Sequence, residues 1–136
     1  LEELFMTLHI DHDYKLGTAF YPHVHWAPSN TDTGVVRWGI EYTFAARDTG
    51  TFGATSTIYL EQAATGTIGD HIVTETPSPG ITITDADTDT VIVARVFRDA
   101  GNVADTYTGD AYAFFMDIHY EVDRYATTNK AAPFRT

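Results

Sequence analysis

Two long stretches of the chain alternate apolar and polar side chains with a period of two, and this constrains the fold more than any other feature. Across residues 35–44, Val36, Trp38, Ile40, Tyr42 and Phe44 share one side, while Val35, Arg37, Gly39, Glu41 and Thr43 share the other. Near the C-terminus, Tyr112, Phe114, Met116, Ile118, Tyr120 and Val122 alternate with Ala111, Ala113, Phe115, Asp117, His119 and Glu121. Successive side chains of a strand point to opposite faces, so a segment with its large apolar groups in phase reads as a half-buried strand. No stretch of useful length carries the helical period. These two strands are expected to supply most of the core.

Weaker runs lie between them: Glu3–Ile10, Thr18–Trp26, Thr55–Glu61, His71–Thr76, Ile81–Thr84 and Thr90–Phe97. Turn signals rich in Gly, Pro, Asn and Asp separate them, as at Pro28–Gly34, Arg47–Gly53, Pro77–Gly80 and Asp99–Gly109. About eight short strands divided in this way indicate an all-β, two-sheet antiparallel β-sandwich of jelly-roll type. A seven-stranded immunoglobulin-like sandwich is the alternative, disfavoured by the length of the two best strands. One sandwich domain is expected over 1–122. Residues 123–136, where the alternation stops, are expected to be a C-terminal tail or an arm onto a neighbouring subunit. Residue 1 is Leu, so further residues are expected to precede it.

A chain of 136 residues is long enough for one full core. The absence of cysteine removes disulfides, thiolate zinc sites and cysteine nucleophiles together. A formal net charge of -11 argues against nucleic-acid and anionic-membrane partners, both of which select basic surfaces. The acidic run at Asp85, Asp87 and Asp89 lacks the turn glycine and bidentate Glu of a calcium loop, so it reads as a solvated turn.

Histidine is the residue type most able to carry chemistry here. His23 and His25 lie two apart on an expected strand and project from one face, opposite Val24 and Trp26, which is half of a metal site. With Gly17 ahead of them they resemble the opening of the cupin metal-binding motif. The cupin Glu is then missing, since Ala27, Pro28, Ser29 and Asn30 follow, and no third His follows the segment Pro77 to Gly80. His119 and Glu41 could complete a site with His23 and His25; these four are the weak metal candidates, and the expectation is no metal and no cofactor. Ser29, Ser56 and Ser78 sit in no nucleophile-elbow context, and no phosphate-cradling glycine loop is present. Asp117, Glu121, Glu41 and Glu61 could pair as glycosidase carboxylates only by chance juxtaposition on so acidic a chain.

The strand faces turned away from the core carry Tyr21, His23 and His25, then Arg37 and Glu41, then Phe115, Asp117, His119 and Glu121. Aromatic, imidazole and mixed charge together suit a subunit interface, and these nine residues are the interface candidates. Arg95 shares a face with Val91, Val93 and Phe97, and needs either a carboxylate partner or an apolar surface to lie on.

Several segments, in order along most of the chain, resemble a family of small structural proteins of tailed bacteriophages and prophages. They are Leu4–Leu8, Tyr21–Trp26, Val36–Tyr42, Ala94–Asp99 with Asp105–Tyr107, and Phe115–Tyr120; the Pro22-His23-Val24-His25-Trp26 and Met116-Asp117-Ile118-His119-Tyr120 elements are the most specific. The resemblance implies a virion component (capsid decoration, head fibre or tail knob) that forms homotrimers, contacts capsid or tail proteins, and is not an enzyme. A carbohydrate- or host-surface-binding module using Tyr59 or Tyr107 is the alternative, and a cupin-like metal-binding protein comes third.

Overall fold

The computed structural model describes residues 2–48, 50–84 and 86–125, so most of the expected C-terminal tail lies outside the described residues. Seven strands run in the order β1 (Glu3–His9), β2 (Phe20–Pro28), β3 (Val35–Ala45), β4 (Ser56–Ala63), β5 (Ile72–Glu75), β6 (Val91–Arg98) and β7 (Ala111–Tyr120). They form a four-stranded sheet, β1-β6-β3-β4, and a three-stranded sheet, β5-β2-β7. Every pairing is antiparallel. The chain is therefore the all-β, two-sheet antiparallel sandwich that its alternation indicates. The expected strand at Ile81–Thr84 is reduced to one bridge between Ile81 and Phe20.

The inward faces follow the two-residue rule over most of the chain. Val24 and Trp26 of β2 meet Val36, Trp38 and Ile40 of β3, Leu60 of β4, Val96 of β6 and Met116 of β7 in the main core cluster. A second cluster of Ile10, Tyr14, Phe20, Ile81, Ile83 and Ile92 closes one end of the sandwich. There Tyr14 stacks on Phe20 at 4.7 Å between ring centres, and its hydroxyl donates to the Thr18 carbonyl at 2.7 Å. Of the two core tryptophans, Trp26 donates its indole N–H to the Thr74 hydroxyl at 2.9 Å, whereas the Trp38 Nε1 is buried with no hydrogen-bonded partner.

Strand β7 departs from the alternation. His25 pairs with Phe115, but Trp26 pairs with Ala113, so Phe114 is an extra residue in a β-bulge. One inserted residue reverses the phase of everything beyond it. Met116 and Ile118 face the core as expected, whereas Tyr112 and Phe114 are 55% and 53% exposed. Val122 is exposed as well, because β7 has ended and only a bridge to Tyr14 remains.

The outer face of the larger sheet is tied by arginines. Arg95 donates to Glu41 at 2.8 Å, pairs with Glu3, and lies 4.5 Å above the Phe97 ring, so it takes both kinds of partner that its position demands. Phe97 in turn folds across Gly39, where a methyl group would overlap its ring. Arg37 binds Asp99 and Glu61 and covers the Tyr59 ring at 4.0 Å. Arg98, in phase with the inward Ala94 and Val96 at the end of β6, forms a two-pronged bond with the buried Asp105 carboxylate, at 2.9 and 2.7 Å. Burial alone would raise the Asp105 pKa, but this bond and the Arg37 amide outweigh it and hold the carboxyl below its usual range. Tyr107, expected among exposed aromatics, is instead buried: it packs against Trp26 and its hydroxyl accepts the Asn30 amide at 3.0 Å.

The two tryptophans should respond differently to truncation. Trp26→Phe strands the Thr74 hydroxyl, adding about 1–3 kcal/mol to the lost packing. Trp38→Phe removes a donor that has no partner, so its loss should be smaller by about 1 kcal/mol or more in urea denaturation. Equal losses, or a Trp38→Ala loss well below the roughly 3–5 kcal/mol of a central core aromatic, would contradict this packing.

Candidate functional site

Strand β2 is the middle strand of the smaller sheet, so its outward side chains have cross-strand neighbours on both sides. His23 stands opposite Asp117 of β7 and Glu75 of β5, His25 opposite Phe115 and Val73, and Tyr21 opposite His119. Six of the nine interface candidates (Tyr21, His23, His25, Phe115, Asp117 and His119) are thus gathered on one face. Arg37 and Glu41 are not among them, because β3 belongs to the other sheet. Glu41 therefore cannot complete a site with His23 and His25. Its carboxylate is taken up by Thr55 and Arg95, which lower its pKa in that order. Glu121 lies just beyond β7 and pairs with Lys15 at 2.7 Å. Of the possible carboxylate pairs, Glu121, Glu41 and Glu61 each have a separate Lys or Arg partner, and Asp117 stands against His23 and His25.

The cluster is centred on His23, which is 2% exposed although it is on the outer face. Its ring is covered by His119 at 4.1 Å and His25 at 5.1 Å between centroids. His23 Nδ1 lies 3.2 Å from the Tyr21 carbonyl oxygen, which can only accept, so the ring proton is assigned to Nδ1. Nε2 is left facing Asp117 Oδ1, with which it is in direct contact. His25 Nδ1 lies 2.7 Å from His71 Nε2, and a single proton joins the two rings. On its other side, His25 Nε2 is 3.3 Å from the same Asp117 Oδ1, and its ring stacks on Phe115 at 4.2 Å.

Three ligand atoms, one each from His23, His25 and Asp117, lie within 4.8 Å of one another. Although the Asp117 side chain as a whole is half exposed, its Oδ1 is turned under and shielded from water. His25 Nε2 and Asp117 Oδ1 are both buried, and neither makes an aligned hydrogen bond. His71, just ahead of β5, and Glu75 at its end join the site, with Glu75 3.8 Å from His119 Nδ1. Neither was a candidate from sequence. The available signal was their position in phase with Val73, opposite the buried Ile72, Thr74 and Thr76.

The remaining histidines form a separate group around the acidic turn. Asp89, in the left-handed region at φ 66°, accepts from His9 at 2.8 Å and His12 at 3.2 Å and binds Arg47 at 3.0 Å. Asp11 lies on the other side of His9 at 3.3 Å. The Asp89 bond raises the His9 pKa above 6.5 against a smaller opposing effect of burial, and the same bond leads in lowering Asp89 below 3.8. A raised histidine contributes stability that is complete below its unfolded pKa and fades as pH rises through its folded one. A lowered carboxyl contributes stability present above its unfolded pKa and lost as pH falls through its folded one. The link is therefore strongest between about pH 4 and pH 6.5. His9 is half exposed, so solvent screening limits its contribution to about 0.5 kcal/mol or less. His9→Gln should flatten the pH dependence of urea stability on both sides of that window, and an unchanged profile would refute the link.

No family model, curated protein or solved structure matches this chain.

Proposed function

We propose that this chain is a structural protein of a tailed-bacteriophage virion (capsid decoration, head fibre or tail-associated component) that acts as a homotrimer in contact with other virion proteins and catalyses no reaction. The observation that carries the assembly reading is the edge of β7, which no other strand pairs among the described residues. This strand ends the smaller sheet, is ten residues long, and exposes Tyr112, Phe114 and Phe115 by about half each. A long edge strand offers unpaired backbone groups, and natural proteins shield such edges with charge, proline or brevity. From Ala111 to Met116, β7 has none of these.

The same side of the sandwich contains a cleft of about 530 Å³ between the start of β7 and the start of β1, where Leu4, Trp38 and Tyr112 lie beside the charged Glu2, Arg98 and Asp110. β1 is one of the two edge strands of the larger sheet, β4 being the other, and presents Phe5, 67% exposed. An edge with exposed aromatics, a neighbouring cleft of mixed apolar and charged lining, and a second edge strand together suit burial by copies of the same chain around a symmetry axis. The virion assignment rests on the Pro22-His23-Val24-His25-Trp26 and Met116-Asp117-Ile118-His119-Tyr120 segments, in which Pro22, His23 and Val24 of β2 pair with Ile118, Asp117 and Met116 of β7.

Sedimentation velocity of the intact protein at micromolar concentration should give a species of three chain masses. Tyr112→Glu with Phe114→Glu should reduce it to one chain mass while leaving the near-ultraviolet circular dichroism of the core tryptophans in place. A wild-type monomer would overturn the assembly. Mass spectrometry of purified particles from a phage or induced prophage encoding the chain should find its peptides at structural abundance, and their absence would overturn the virion assignment.

A further inference from the structure

We propose that His23 Nε2, His25 Nε2 and Asp117 Oδ1 bind one first-row divalent transition-metal ion, zinc foremost, which clamps β7 to β2 and keeps at least one coordination position open to water. The three residues meet because of register. His23 and His25 are two apart on β2, and Asp117 is the direct cross-strand partner of His23. Their donor atoms therefore converge from backbone fixed by ladder hydrogen bonds, which is a rigid mounting for a metal.

The surrounding contacts orient the ligands as a metal requires. Metal-bound imidazoles characteristically donate their other ring N–H to a neighbouring acceptor, which fixes both tautomer and ring angle. His23 does so to the Tyr21 carbonyl, and His25 is placed to do so to His71 Nε2. With those protons assigned, the two Nε2 lone pairs face a carboxylate oxygen. Three electron-rich atoms at this spacing repel unless a cation joins them. A proton could bridge His23 Nε2 and Asp117 Oδ1, which are in direct contact, but it leaves the buried His25 Nε2 unsatisfied, 3.3 Å from the same oxygen without an aligned hydrogen bond. A buried polar group left in that condition is destabilising, and a coordinated ion resolves both atoms at once.

The donor set also selects the ion. Two imidazole nitrogens disfavour calcium and magnesium, which take oxygen, and the absence of sulfur disfavours copper(I). Two histidines and one carboxylate with a remaining open position suit zinc, and also iron(II), cobalt(II) or nickel(II).

The experiment uses intact, tag-free protein stripped with a chelator, then titrated with Zn²⁺ by calorimetry and with Co²⁺ by visible absorption. One equivalent per chain should bind with micromolar or tighter affinity. Co²⁺ should show the ligand-field bands of nitrogen and oxygen coordination, and Zn²⁺ should raise the melting temperature in a chelator-reversible way. Asp117→Asn and His25→Ala should each weaken Zn²⁺ binding by about 100-fold or more, since the first replaces an anionic donor by a weak neutral one and the second deletes a donor. His71→Ala keeps all three ligands and should weaken it by about tenfold through lost orientation. His9→Ala with His12→Ala should change nothing. Absence of stoichiometric binding, binding unaffected by Asp117→Asn and His71→Ala, or binding lost with His9 and His12 would each overturn the site. The result is read per chain, so a monomer that binds zinc refutes only the trimer, and a trimer that does not refutes only the metal.

Discussion

The pairing of β7 with β2, interrupted by one extra residue at Phe114, is the constraint on which the rest of the smaller sheet depends. On one side of the bulge the register places Asp117 beside His23 and Phe115 beside His25; on the other it places Ala113 beside Trp26. Ala111 thus packs against the core, small Ala113 opposite Trp26 is itself exposed, and Tyr112 and Phe114 are exposed as well. A regular strand would hold the aromatics inside and leave the edge unremarkable. The bulge therefore creates the exposed aromatic edge, and the regular stretch after it assembles the histidine–carboxylate cluster.

Strand β2 supports two different chemistries because its two faces are independent. Phe20, Val24 and Trp26 fill the space between the sheets, with Trp26 tied to Thr74. The opposite face holds Tyr21, His23 and His25 against β5 and β7. A middle strand is covered on both flanks, which explains how an imidazole on the outer side becomes nearly inaccessible. The larger sheet handles its outer face differently. There, guanidinium groups lie across aromatic rings and between carboxylates, as Arg37 and Arg95 do, in keeping with the planar fork of arginine. A metal on the smaller sheet and arginines on the larger would be two means of placing positive charge within an acidic protein.

Much of this was legible in the sequence. The alternation at 35–44 identified β3 and its buried face, and the His23–His25 spacing put both imidazoles on one side of β2. What alternation cannot supply is strand order. Arg37 and Glu41 have the same outward phase as His23, yet they belong to a different sheet, and no local pattern distinguishes the two cases. His71 is 46 residues from His25 and comes beside it only through the β2–β5 pairing. The phase error at Tyr112 and Phe114 has a similar origin, because a bulge without glycine leaves no compositional mark. Tyr107, in a loop, gave no periodic signal of its burial between Trp26 and Asn30.

The most direct test is the register of β7 against β2, read from interstrand nuclear Overhauser effects in isotope-labelled protein. Contacts should join His25 to Phe115 and Trp26 to Ala113, with Phe114 unpaired between them. An unbroken ladder that sets Trp26 opposite Phe114 would return the aromatics to the core phase and contradict the account of the edge.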